Sequence, residues 1–278
     1  MKSLPLKLKH KETALIDVLK NYNALLIAFS GGLDSSLLLY VAANVLGTAN
    51  VLAVTAKAPF FTTLETQYIK PLIHNIKVGH SYVDHQGLSC KKFTQNFPDR
   101  CYQCKKIIFS LLTAIADKNN INHIAHGENT DDLKTYRPGT KAAKEYSIIS
   151  PLIEAHLTRH DIQMLARYYH LSNWNLSQMA CLATRIPYYD EITLEKLQMI
   201  GQAENVLIQM GFPGARVRWI DWTAKIEIPT NQLASFFHRQ LQGDIIHHFK
   251  NIGFKNIMID PDGYRSGFDD ARFRNHQY

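Results

Sequence analysis

Cysteine is scarce, with four residues in a chain of 278. That is too few for a disulfide scaffold, so in a reducing compartment these residues are thiols or metal ligands. No apolar run approaches ~18 residues, which leaves no place for a membrane-spanning helix. The segment MKSLPLKLKHKE is basic but has neither an apolar core nor a small-residue cleavage site. No signal peptide is read, and a cytoplasmic protein is expected. Long Lys/Arg runs are missing too. The net charge of +7 is spread along the chain, which suits anionic ligands such as nucleotides without making nucleic acid the default partner. There is no internal repeat and no low-complexity tract. Both common phosphate loops, G-x-x-x-x-G-K-[ST] and G-x-G-x-x-G, are missing. What remains is ordinary globular composition, 46% apolar and 20% charged. The length allows one main core with a smaller appended domain, expected at 1–188 and 189–278.

A different phosphate loop is present. Ser30-Gly31-Gly32-Leu33-Asp34-Ser35-Ser36 sits between the strand-length run Ala24–Phe29 and a helix-length run from Leu37 to Leu46 that stops at Gly47. A strand, a tight glycine turn and a helix start gather backbone N–H groups around one point, with the positive end of the helix dipole behind them. Glycine allows close approach of backbone to anion. Ser30, Ser35 and Ser36 add hydroxyls, and Asp34 can hold a magnesium ion. The competing reading is a serine-rich β-turn. The string SGGLDSS resembles the signature of the PP-loop (N-type) ATP pyrophosphatases, which split ATP between the α- and β-phosphates.

Around this loop, helices are expected over residues 10–22, 63–75 (weakened by Pro71), 101–118, Thr158–Tyr169 and Thr193–Met210. Strands are expected at Val51–Thr55, near His80–Val83 and at His123–His126. This alternation implies an α/β fold, a doubly wound parallel sheet with ligand at the carboxyl ends of its strands. Gly31 and Gly127 both stand at such ends. Beyond residue 190 the pattern reads α, β (Ala215–Ile220), β (Lys225–Ile228), α (Gln232–Asn251, interrupted at Gly243), β (Asn256–Ile259), a small α+β tail.

Four more stretches carry candidate chemistry. Gly127-Glu128-Asn129-Thr130-Asp131-Asp132, followed by Arg137, offers carboxylates for magnesium or ribose and a cation for phosphate. Its competing reading is an acidic solvent loop. Cys101-x-x-Cys104, with Cys181 downstream, suits zinc, a redox dithiol or an iron–sulfur cluster. A structural zinc wants four protein ligands, and no second CxxC or spaced His pair is seen. Three cysteines would leave one iron of a cubane open; reduced structural thiols are the bland alternative. Cys90 is read as structural. Arg185 follows Cys181 closely enough to favour a thiolate, as nucleophile or metal ligand. Arg216 and Arg218 would share one face of a strand and could grip a carboxylate or phosphate, with Glu204 just upstream; a basic solvent face is the alternative.

Together, SGGLDSS, RCYQCKK, HGENTDDLKTYRPG, SPLIEAHLT, ACLATRIPY, ITLEKLQMIGQAE, RVR and DGYRSG resemble the LarE family of ATP-dependent sulfur transferases over nearly the whole length. The resemblance implies adenylation of a carboxylate on a pyridinium mononucleotide, then conversion to a thiocarboxylate during assembly of a nickel-pincer cofactor. It implies ATP and Mg²⁺ at Ser30, Gly31, Gly32, Asp34, Ser35, Ser36, Thr55, Gly127, Asn129, Asp132 and Arg137. Substrate would meet Arg216 and Arg218, with Cys181, Glu204 and Arg185 catalytic. In one branch of the family the sulfur comes from the cysteine matching Cys181, which becomes dehydroalanine. In the other, three cysteines hold a [4Fe-4S] cluster, and Cys101, Cys104 and Cys181 match that set, which is the branch expected here. Departures from the pattern are Ala180 for proline, Thr184 for serine and Tyr189 for glycine, all around Cys181. A homo-oligomer is expected. Competing readings are a PP-loop tRNA thiolase, a non-catalytic nucleotide-binding or iron–sulfur carrier protein, and an amidating ligase, which the placed cysteines disfavour.

Overall fold

The computed structural model describes residues 4–61, 63–134, 138–176, 181–238 and 241–264. Two compact units divide the chain. One is Met1–Ala58, Thr63–Gly87 and Asp99–Gln178, and the other is Pro59–Thr62, Leu88–Pro98 and Met179–Tyr278.

The first unit opens with α1 (Leu6–Leu19), β1 (Leu25–Ala28), α2 (Leu33–Leu46), β2 (Val51–Lys57), α3 (Thr63–Ile76) and β3 (Gly79–Asp84). The single turn α4 (Lys91–Thr94) lies in the other unit. The first unit then closes with α5 (Arg100–Lys118), β4 (Ile124–His126), α6 (Gly139–Glu145), α7 (Pro151–Glu154) and α8 (Arg159–Tyr168). Its four strands run parallel in the order β3-β2-β1-β4. The chain steps outward from β1 to β3 and then returns to the other side of β1. The direction of winding therefore reverses between β1 and β4, and the crevice at their carboxyl ends is where such sheets bind ligands.

Alternation along β1 covers both faces of the sheet. Leu25 and Ile27 enter a core with Leu15 and Leu19 of α1, Leu37 and Leu38 of α2 and Leu165 of α8. Leu26 enters the opposite core with Phe109 and Leu112 of α5 and Ala142 and Ala143 of α6. Each of these leucine, isoleucine and phenylalanine side chains contributes roughly 1.5–3 kcal/mol of burial energy. Helix α1 begins earlier than its spacing predicts, because Pro5, at φ −54°, is preset for a helix start. Helix α3 runs through Pro71. Thr158 caps α8 in a reciprocal capping box with Asp161.

The second unit contains α9 (Leu194–Gln209), β5 (Arg216–Ile220), β6 (Thr223–Glu227), α10 (Leu233–His238), α11 (Gln242–Ile252) and β7 (Asn256–Ile259). β5 and β6 pair antiparallel, and β6 and β7 pair parallel. Val217, Trp219, Ala224 and Ile226 are buried, as are Leu197, Leu207, Phe249 and Phe254, and the rings of Trp219 and Phe249 pack on Phe254. Thr193 caps α9 through Lys196 N at 3.2 Å. The stretch from Gln232 holds two helices, α10 and α11. Gly243 sits in the first turn of α11, where amides lack helical partners anyway. The α/β class with a parallel doubly wound sheet is thus as expected. Among the described residues no helix is long and apolar enough to cross a membrane.

Candidate active site

The glycine turn after β1 has the backbone that its sequence demands. Gly31 takes φ +80°, a left-handed conformation that favours glycine, and Gly32 is the N-cap of α2 at φ −71° and ψ 163°. The N-cap residue Gly32 has no side chain with which to cap the first amides of α2. The serines brace this shape. Ser35 and Ser36 hydroxyls donate to Gly32 O at 3.0 and 2.8 Å, and Ser30 Oγ accepts from Gly32 N at 3.3 Å. Asn173, which the sequence did not flag, is fully buried and donates from Nδ2 to Gly31 O at 3.0 Å and Ser36 Oγ at 2.9 Å.

Gly127 follows β4 and joins the same crevice. A β-carbon there would stand 2.7 Å from Ser35 N and 3.0 Å from Asp34 C. Any side chain would press on the start of α2, so the two predicted glycine sites do converge. Beyond Gly127 the acidic loop folds on itself. Asp132 Oδ2 accepts from Asn129 N at 3.2 Å, and Asn129 Oδ1 accepts from Asp131 N at 2.9 Å. Asn129 and Asp132 are buried. The acidic solvent loop foreseen as the alternative describes Asp131 better: it binds Lys134 at 2.7 Å and accepts from Arg159 N at 2.9 Å, which hold its carboxyl below the usual range. Arg137 lies outside the described residues.

Two further residues at the crevice have assigned partners. Thr55 donates from Oγ1 to Phe29 O at 2.7 Å and lies 2.9 Å from His80 Nε2. Burial and the charge of Lys57 hold His80 below the usual histidine range. Asp34 Oδ2 pairs with Arg159 Nη1 at 2.5 Å, another partner that sequence order did not reveal.

The Cys-x-x-Cys pair opens α5 beside this acidic loop. A β-carbon on Gly139 would meet Lys105 Cγ at 3.1 Å and Cys101 O at 3.9 Å. Thr140 donates to Glu128 Oε1 at 2.6 Å. Glu128 is buried, which alone would raise its pKa. Hydrogen bonds from His126 and Thr140 and the charge of Lys105 outweigh burial and bring it to about 2. Burial keeps His126 below its usual range, hence neutral, with Nε2 2.9 Å from Ser150 Oγ and 3.3 Å from Glu128 Oε2. Cys101 is exposed and Cys104 half-buried, and none of the four cysteines is in a disulfide. His85 Nδ1 accepts from Gly87 N at 2.9 Å, so Nε2 carries the proton. That nitrogen lies 3.2 Å from Cys104 O and 3.3 Å from Cys104 Sγ.

In the second unit, Cys181 precedes a 3-10 turn, Leu182–Arg185. Thr184 closes it, donating from N and Oγ1 to Cys181 O at 2.9 and 2.7 Å. Leu182 N donates to Phe60 O at 2.9 Å. Asn96, buried and also missed from sequence, donates to Ile186 O, Pro187 O and Asp190 O at 3.2, 2.7 and 2.9 Å. The Arg185 guanidinium donates to Glu204 at 2.6 Å from Nε, and Glu204 Oε1 also accepts from Val217 N at 3.0 Å. Arg216 and Arg218 do share a face of β5. Arg218 binds Glu227 at 2.7 Å, and buried Arg216 lies over the Tyr264 ring at 5.3 Å. Burial and the charge of Arg185 lower the Arg216 pKa. The basic solvent face foreseen as the alternative is therefore half right: the face is basic, but its arginines are covered.

Within either unit, among the described residues, no three His, Cys, Asp or Glu side chains gather closely enough to hold a metal ion. The first unit offers two thiols one helical turn apart, with a histidine N–H beside one of them. That donor set suits two positions of an iron–sulfur cluster.

No family model matches the chain. An uncharacterized protein of Synechocystis sp. is 36% identical over 242 residues, 87% of this chain and 90% of its own. The pyridinium-3,5-bisthiocarboxylic acid mononucleotide synthase of Lactiplantibacillus plantarum is 34% identical over 263 residues, 92% of each chain. An uncharacterized protein of Methanocaldococcus jannaschii is 32% identical over 245 residues, covering 87% and 91%. Similarity of this extent bears out the resemblance read from the motifs: the chain belongs to the LarE family, that of the pyridinium-3,5-bisthiocarboxylic acid mononucleotide synthase.

Proposed function

We propose that this protein is an ATP-dependent sulfur transferase that makes the thiocarboxylate of a pyridinium mononucleotide. Near full-length similarity to the synthase supports the substrate class. The observation that supports the ATP half is the close approach of Gly127 to the backbone of Asp34 and Ser35 at the start of α2, where any side chain would fill the turn. ATP lays its β- and γ-phosphates there. A substrate carboxylate oxygen attacks the α-phosphorus, the bond to the bridging oxygen breaks, and pyrophosphate leaves with the electron pair. The α2 amides and dipole stabilise that growing charge. Asp34 and Asp132 are the carboxylates that would hold Mg²⁺, which neutralises phosphate charge.

The acyl-adenylate then loses AMP to a sulfur nucleophile. A [4Fe-4S] cluster, for which the family resemblance names Cys101, Cys104 and Cys181, would supply that sulfur when bound. Without it, Cys181 attacks directly and forms a thioester. Its Cβ–S bond then breaks with loss of the Cα proton, leaving dehydroalanine in the protein and a thiocarboxylate on the product. Arg216 and Arg218 present cations for the substrate's anionic groups. The test is turnover with ATP and the pyridinium biscarboxylate mononucleotide, followed by protein and product mass spectrometry. Thiocarboxylate, AMP and pyrophosphate are expected; absence of substrate-dependent ATP–pyrophosphate exchange would reject adenylation. Loss of sulfur at Cys181 identifies the sacrificial route, and an unchanged protein mass with iron present identifies the cluster.

A further inference from the structure

We infer that Arg159 is a phosphate-binding residue: on nucleotide binding its guanidinium leaves Asp34 and takes the pyrophosphate oxygens. This rests on the adenylating reading above.

The base of Arg159 is fixed. It is the first residue of α8, whose capping box ties Thr158 to Asp161, and Asp161 is held in turn by Lys11 at 2.5 Å. Its own amide donates to Asp131 Oδ2 at 2.9 Å, at the end of the acidic loop. From that anchor the side chain reaches Asp34 Oδ2 through Nη1 and Leu176 O through Nη2 at 3.2 Å. Asp34 lies in the first turn of α2. The guanidinium is therefore within one side chain's reach of the start of α2, against which Gly127 packs. Its side chain remains 29% exposed, so it can swing without breaking a core.

Charge gives it a reason to move. Adenylation leaves the electron pair on the departing pyrophosphate, and the helix dipole supplies only ~0.5 charge against it. The Ser35 and Ser36 hydroxyl protons are already given to Gly32 O. A guanidinium matches two phosphate oxygens at once. Asp34, once released, is available to a magnesium ion carried in with ATP. The exchange conserves charge: the same Arg and Asp that neutralise each other separate to neutralise Mg²⁺-pyrophosphate.

The experiment is calorimetric titration of the full chain with inorganic pyrophosphate plus Mg²⁺ and, separately, with AMP, for wild type, R159Q and R159K. R159Q should bind pyrophosphate roughly 10- to 100-fold more weakly, the loss of one or two charge-assisted hydrogen bonds. R159K should fall between it and wild type, and AMP affinity should be unchanged in both. Equal pyrophosphate affinity in wild type and R159Q overturns the inference, as does an equal loss for AMP, which marks a structural role. Should R159Q fail to fold, R159K carries the same comparison, with wild-type pyrophosphate affinity as the overturning result. A wild-type protein that binds neither ATP nor pyrophosphate would instead reject the adenylating reading itself.

Discussion

A β-carbon on Gly127 would lie 2.7 Å from the backbone nitrogen of Ser35. The clash is with backbone, not with the end of a flexible side chain, so α2 or β4 must yield. G127A should cost about 1–3 kcal/mol of stability, as overpacking does. If the proposed phosphate cradle holds, the shifted backbone of Asp34 and Ser35 should also weaken ATP binding at least tenfold. Denaturant unfolding and nucleotide titration measure the two effects, and an unaffected ATP affinity would contradict the cradle.

Asn173 holds the same turn from behind. Its amide is fully buried and satisfies Gly31 O and Ser36 Oγ together. N173A leaves both without that donor and should destabilise by about 1–3 kcal/mol. N173D should do worse at neutral pH, because it turns an acceptor toward a carbonyl at unchanged volume. Thermal unfolding of the two variants checks the order.

These two residues mark what the sequence reveals of the site. Gly31, Gly32 and Gly127 were legible because each follows a strand-length apolar run, and α/β topology sends such ends to one crevice. The period-2 placing of Arg216 and Arg218 was legible for the same local reason. Asn173 and Arg159 were not. Their partners lie 142 and 125 residues away, so no local period connects them. The pairing of Arg185 with Glu204 was equally hidden, although both residues were singled out. Proximity in sequence placed Arg185 with Cys181, whereas burial gave its guanidinium to a carboxylate on α9. The helix boundary at Leu6 was missed because apolar spacing outweighed the start signal of Pro5.

Acid should destabilise the protein in two stages. His80, His85 and His126 are all held below the ordinary histidine value of 6.5, chiefly by burial. Below about pH 6.5 the unfolded chain takes up protons that the folded chain refuses, so stability falls as pH falls. Glu128 has its pKa lowered from 4.5 to about 2. Its contribution is full above 4.5 and is lost as pH drops from there through about 2. E128Q should cost about 1–3 kcal/mol at pH 7 and flatten the second stage, while steepening the first, because Glu128 raises the His126 pKa. H126Q should flatten part of the first. Urea midpoints from pH 8 to pH 3 give both slopes; a pH-independent wild-type midpoint would contradict the buried, neutral histidines.

Arg185 and Glu204 are nearly inaccessible, at 3% and 5% exposure, and their ion pair also fixes the start of β5 through Val217 N. Removing one partner strands a buried charge, so R185M or E204L alone should each cost about 3–5 kcal/mol. The double variant R185M/E204L strands neither charge and should recover part of that loss, the remainder being the acceptor that Val217 N still lacks. Activity separates the structural role from the chemical one. If the pair acts only by holding β5 and the Cys181 turn, the double variant regains thiocarboxylate formation along with stability. If Arg185 or Glu204 takes part in the reaction, as the family resemblance implies, the double variant is stable and inactive, with ATP–pyrophosphate exchange retained. We expect the second outcome, because a buried charge pair beside the turn that carries Cys181 is weak evidence of stabilisation and costs desolvation that an apolar pair would avoid.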